Sequence, residues 1–136
     1  MSEEKKPFGY SYFLDMYNTA TGTADNMELV YRFLERLVDE IGMTRMTPPI
    51  VIHGPTDHGE EIYADKYGVS GWVGLIESGI QIHAIEAKHF ISLDVYSYDI
   101  TTNIPIFLTP FFSGSYPLTP LFGIAHTSNK IFLQTQ

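Results

Sequence analysis

Three strand-like runs, at residues 69–76, 80–85 and 90–98, follow one another with links of only three or four residues. Ser78-Gly79 separates the first pair, and residues 86–89 separate the second. A parallel neighbour needs a crossover of a dozen or more residues, so links this short join antiparallel strands. Few folds accommodate three hairpin-linked strands without a layer covering one face. The covering layer is visible upstream. Asp25 and Glu28 are spaced as a capping box, and Leu29, Val30, Phe33, Leu34, Leu37, Val38 and Ile41 recur at helical intervals before Gly42. This predicts a long amphipathic helix with one buried face.

Two further strands are predicted at residues 9–17, which are rich in aromatics, and 46–53, entered through Pro48-Pro49. The order β-α-β-β-β-β gives an α+β two-layer sandwich: a mainly antiparallel sheet with a long helix packed on one face. Residues 99–136 look irregular, because Pro105, Pro110, Pro117 and Pro120 break any long helix; a short strand is expected at 130–133. The chain has 136 residues, of which 44% are hydrophobic, enough for one domain spanning 1–136 behind a polar tail at 1–8.

Charge narrows the partners. Sixteen acidic against eight basic residues repel a polyanion, so no nucleic acid is expected. No apolar run is long enough to cross a membrane, and the first residues lack the apolar core of a secretory signal. Without cysteine the chain has no disulfide, thiolate metal site or Cys nucleophile, which fits a cytoplasmic protein. His53, Asp57, His58, Glu60 and Glu61 match no defined metal spacing, so no metal is expected and the segment reads as a solvated acidic loop. Tyr10, Tyr12 and Phe13 read as core and edge aromatics, Trp72 as packing, and Asp94 as a structural hydrogen-bond acceptor.

Residues 68–83, Gly-Val-Ser-Gly-Trp-Val-Gly-Leu-Ile-Glu-Ser-Gly-Ile-Gln-Ile-His, lead on to 90–98, Phe-Ile-Ser-Leu-Asp-Val-Tyr-Ser-Tyr. This stretch resembles the prokaryotic S-adenosylmethionine decarboxylase family, whose members make their own pyruvoyl cofactor. There a Gly-[Val/Ile]-[Ser/Thr]-Gly turn opens a strand ending in Glu-Ser, followed by Ile-His and Asp-[Val/Ile]-Phe-[Ser/Thr]-Cys. Ser70, Glu77, Ser78, His83 and Asp94 stand at matching offsets. Gly9-Tyr10, Gly42-Met43 and Thr47-Pro48-Pro49 extend the resemblance over residues 9–98.

The resemblance implies self-cleavage at Glu77-Ser78, with Ser78 as the pyruvoyl precursor, His83 as the processing residue and Ser70 assisting. The pyruvoyl carbonyl would form a Schiff base with the amine of S-adenosylmethionine or a related amino acid, and decarboxylation would feed polyamine synthesis. A homodimer is implied as well. On the sequence, His83 is expected to face Ser78 across a tight hairpin, and Ser70, of equal parity to Ser78, to share its sheet face.

Three departures stand out. Tyr98 occupies the place of the family's proton-donating Cys, the motif after Glu77-Ser78 continues as Gly79, and His83 is followed by Ala84-Ile85-Glu86. The family's C-terminal helix has no match in 99–136. These changes suit the alternative of a non-catalytic, unprocessed homologue acting as a binding or regulatory partner.

Overall fold

The predicted hairpins are present, but the first turns earlier than its sequence suggests. In the computed structural model, which describes residues 9–54, 65–97, 104–113, 119–126 and 131–135, β3 runs Gly68–Leu75 and β4 runs Ser78–Ile85. Leu75 pairs with Ser78, so the loop is Ile76-Glu77 rather than Ser78-Gly79. The Gly68-Val-Ser-Gly71 segment lies within β3 and is not a turn. Its glycines answer to close packing: a Cβ on Gly68 would stand 1.8 Å from the Ala84 carbonyl oxygen, and one on Gly71 2.8 Å from Leu34 Cδ1.

Among the described residues seven strands form one sheet, with β1 at Tyr10–Tyr17, β2 at Ile50–Gly54, β5 at Phe90–Ser97, β6 at Thr119–His126 and β7 at Ile131–Thr135. The order is β2-β3-β4-β5-β1-β6-β7, and every pairing is antiparallel. The return from β4 to β5 uses a short 3-10 turn, Glu86–Lys88, closed by His89 in the left-handed region.

Helix α1, Met27–Glu40, covers one face. It has 14 residues, so the expected long helix is one of ordinary length. Its cap is Asn26, whose side chain accepts from the Leu29 N–H at 3.1 Å; the Asp25–Glu28 box predicted one position earlier does not form the cap. Gly42 takes φ +72 just past the end, where a side chain would be strained. Val30, Phe33, Leu34, Leu37 and Val38 are buried against Val69, Val73, Ile80, Ile82, Leu93 and Val95 of the sheet.

The C-terminal segment is more ordered than its prolines suggest. A second helix, α2, runs Ile104–Phe112, and two strands follow. Pro110 lacks the N–H a helix uses, and α2 ends two residues later, where Ser113 donates to Thr109 O through both N–H and hydroxyl. Packing overrides the local preference. Ile104, Leu108 and Phe112 are fully buried, and the Phe33 ring lies within 5.3–5.8 Å of Phe107, Phe111 and Phe112. Burying one large apolar side chain contributes roughly 1.5–3 kcal/mol, enough to hold a short helix containing proline.

Both helices therefore close one side of the sheet, and the strand residues facing away form an open side. On β1 and β3–β5 the open side carries Ser11, Phe13, Asp15, Tyr17, Ser70, Trp72, Gly74, Gly79, Gln81, His83, Ser92, Asp94 and Tyr96, as the register requires. No described helix is long and apolar enough to cross a membrane.

Candidate active site

The β3–β4 corner combines two unusual features. Glu77 has φ +62, a left-handed conformation that costs a non-glycine residue about 1–2 kcal/mol and that turns normally assign to Gly or Asn. The next hydroxyl, Ser78 Oγ, is buried without a hydrogen-bond partner, although buried polar atoms almost always have one. A strained carbonyl-bearing residue thus precedes an unengaged hydroxyl.

Ser70 and His83 meet elsewhere. They are direct partners across β3 and β4, with Ser70 Oγ 2.8 Å from His83 Nδ1. The Gln81 amide nitrogen lies 2.6 Å from His83 Nε2. In that amide orientation Nε2 accepts from Gln81, and Nδ1–H donates to Ser70 Oγ, which leaves the Ser70 hydroxyl hydrogen for another acceptor. The Trp72 ring stands edge-on to the imidazole at 6.1 Å.

The structure does not bring Ser78 to this pair. A two-residue loop pairs Leu75 with Ser78, so an even-numbered residue of β3 shares its face with an odd-numbered residue of β4. Ser70 and His83 point to the open side, whereas Ser78, level with Leu75, points to the closed side. The expectation that Ser70 and Ser78 share a face through equal parity is thereby corrected. So is the expectation that His83 faces Ser78: they lie five positions apart on one strand, ~16 Å at ~3.3 Å per residue, in addition to the opposite facing.

Tyr98 lies outside the described residues, as do Asp57, His58, Glu60 and Glu61. His53 stacks edge-on with Tyr67 at 4.7 Å on the closed side. Among the described residues no group of three or more His, Asp or Glu side chains is placed to hold a metal. Tyr12 packs against the core, where burial pushes its phenol pKa up; Tyr10 is 42% exposed, and Phe13 is half-buried on the open side.

Trp72 is not a core residue. It is 37% exposed and lines an open-side groove of about 360 Å³ with Ser11, Gly74, Gly79, Gln81, Asp94 and Tyr96. Partial burial pushes the Asp94 carboxyl above its ordinary range. Sequence reasoning took Trp72 for packing, but the spacing of Ser70, Trp72 and Gly74 already placed it on the face of Ser70.

Glu86 had no role assigned by sequence. Its two carboxylate oxygens accept from the Gly22 and Ala24 N–H groups at 2.5 and 3.1 Å, tying the β1–α1 loop to the end of β4. This gives the departure after His83 a structural purpose. No periodic signal marks such a contact, since it joins residues more than sixty positions apart.

The hairpin, its Glu-Ser corner and the Ser–His pair lie inside a region, residues 10–109, that matches the family model described as S-adenosylmethionine decarboxylase. No curated protein matches the sequence. The match takes in β1 through most of α2, and the chain belongs to the S-adenosylmethionine decarboxylase family.

Proposed function

We propose that the chain is a self-processing, pyruvoyl-dependent decarboxylase cleaved between Glu77 and Ser78. The corner itself supports this most: the left-handed residue and the unpartnered buried hydroxyl fall on the two positions the reaction requires. Ser78 Oγ attacks the Glu77 carbonyl carbon, and the C–N bond breaks as the ester C–O bond forms. Loss of the residue 78 α-proton then expels the Glu77 carboxylate and leaves dehydroalanine. Water replaces its nitrogen, released as ammonia, and a pyruvoyl group heads the fragment 78–136.

Two proton-handling groups are available for these steps. The Ser70 hydroxyl hydrogen can stabilise the oxyanion formed at Glu77, and His83 can take the α-proton. Neither reaches Ser78 in its own chain, because the pair occupies the other face of the hairpin. The reading therefore assigns the pair to a second copy, in a homodimer whose partner brings its open side to the β3–β4 corner. Ile50 and Ile52, 57% and 54% exposed beside Trp72 on the open side, suit such a contact.

Once formed, the pyruvoyl group supplies a carbonyl that joins a substrate amine and accepts the electron pair released with carbon dioxide. The substrate is S-adenosylmethionine or a related amino acid such as ornithine or arginine, and the product enters polyamine synthesis. Tyr98 has the sequence position of the proton donor, with a reference pKa of ~10 against ~8.5 for cysteine. Incubation with each candidate and cyanoborohydride should add the mass of the decarboxylated or intact substrate to fragment 78–136. Protein with no reducible carbonyl that releases no carbon dioxide would refute the proposal.

One observation favours the second reading, an unprocessed binding or regulatory homologue. Both ring nitrogens of His83 are engaged, by Ser70 and Gln81, on the face away from Ser78. A chain that stays intact while binding a family member would fit that reading.

A further inference from the structure

His83 is held at both ring nitrogens, from two directions. Ser70 reaches Nδ1 from the neighbouring strand at 2.8 Å, and Gln81 reaches Nε2 along β4 at 2.6 Å. Residues two apart on a strand share a face, which lets the amide turn onto the imidazole. All three side chains belong to one chain, so the arrangement does not require an uncovered surface. A neutral imidazole carries one N–H and one lone pair, so its two hydrogen bonds run in opposite senses. Ser70 fits either sense, because a hydroxyl both donates and accepts. An amide is more selective: its nitrogen only donates and its oxygen only accepts. The Gln81 nitrogen faces the ring, so Nε2 offers its lone pair and Nδ1 carries the hydrogen. The choice between tautomers therefore lies with Gln81 and not with Ser70.

From this geometry we infer that Gln81 is a positioning residue: it fixes His83 as the Nδ1–H tautomer and thereby keeps the Ser70 hydroxyl hydrogen out of the Ser70–His83 bond. The consequence for cleavage rests on the reading above, in which that hydrogen stabilises the oxyanion at Glu77. The tautomer itself does not depend on cleavage, so it is measured on the full chain carrying Ser78→Ala. Gln81 is exposed, and its replacement leaves the core intact. Long-range proton–nitrogen correlation NMR distinguishes a ring nitrogen that bears hydrogen from one that does not. At about pH 9, above the ~6.5 reference value of histidine, imidazole is neutral and one tautomer or the other is read directly. The His83 signals are identified by their loss in His83→Asn.

Ser78→Ala should show the hydrogen on Nδ1. Adding Gln81→Glu, whose carboxylate only accepts, should move it to Nε2, and adding Gln81→Ala should leave a mixture of both forms. Adding Ser70→Ala should change neither nitrogen. Hydrogen on Nε2 in Ser78→Ala, an unmoved hydrogen in either Gln81 variant, or a switch caused by Ser70→Ala would overturn the inference. In a chain that keeps Ser78, Gln81→Glu should slow fragment formation about ten-fold or more, and a cleaving wild type matched in rate by that variant would overturn the positioning role. Nδ1–H in Ser78→Ala alongside an uncleaved wild type would uphold the hold of Gln81 on the ring and count against processing; cleavage with Nε2–H would do the reverse.

Discussion

The closed and open sides of the sheet are built from alternate residues of the same strands, yet they are used differently. On the closed side Leu14, Val73, Ile82, Leu93 and Phe33 are nearly or fully buried, and the contacts are apolar. On the open side, in β1 and β3–β5, alternate positions hold Ser11, Asp15, Ser70, Gln81, His83, Ser92 and Asp94. One side accounts for stability and the other carries the polar groups. The Glu77-Ser78 corner is the exception, because its hydroxyl points to the packed side and has no partner there. A hydroxyl in an apolar layer without a hydrogen bond is a cost that packing does not explain.

The division can be broken first where it is strongest. Phe33→Ala removes a fully buried ring that touches three phenylalanines of α2 and should destabilise the chain by about 3–5 kcal/mol in urea unfolding. An effect below about 1 kcal/mol would mean that α2 does not pack as described.

The open side should behave in the opposite way. His83→Ala should cost less than about 1.5 kcal/mol of stability but slow cleavage by about a hundred-fold or more, followed by fragment mass over time. Mixing His83→Ala with Ser78→Ala subunits should restore cleavage of the former if the pair acts between copies. A mixture in which neither chain is cut, alongside a cleaving wild type, would place the catalytic pair within one chain.

At the corner, Glu77→Gly should relieve the left-handed strain. After the extra entropy glycine loses on folding, the net gain in stability should be under about 1 kcal/mol, with slower processing than wild type. A clear loss of stability would show that Glu77 makes a contact worth more than its strain.

The smallest effect concerns pH. Burial raises the Asp94 carboxyl pKa, so the folded chain holds that proton more tightly than the unfolded chain, and stability falls as pH rises through the folded value. Asp94→Asn should therefore be slightly more stable than wild type near about pH 7, and the difference should vanish only below about pH 3, where the unfolded carboxyl is protonated as well. Asp15, His83 and Tyr96 share that face, so the comparison rests on the difference between the two proteins at each pH. A difference that grows on acidification would reverse the assignment.

Much of this division was legible in the chain. Period-two alternation in 69–98 and the helical repeat from Leu29 to Val38 fixed the layers, because burial of one face demands those spacings. The pairing of Ser70 with His83 was hidden by the turn: placing it at Ser78-Gly79, two positions after the observed Ile76-Glu77, shifts the register by four residues and sets residue 87 opposite Ser70. Helix α2 was hidden by its prolines, although Ile104, Leu108 and Phe112 show the i, i+4, i+8 repeat of a buried stripe. The long-range grip of Glu86 on Gly22 and Ala24 has no local signature.

The bond between Glu77 and Ser78 bears the whole functional argument, and the mass of the freshly purified wild-type chain measures its fate directly. Two fragments ending at Glu77 and beginning at residue 78, the second with a blocked start, are expected, with Ser78→Ala giving one intact chain. A wild type that keeps its full-length mass after prolonged incubation would contradict the account.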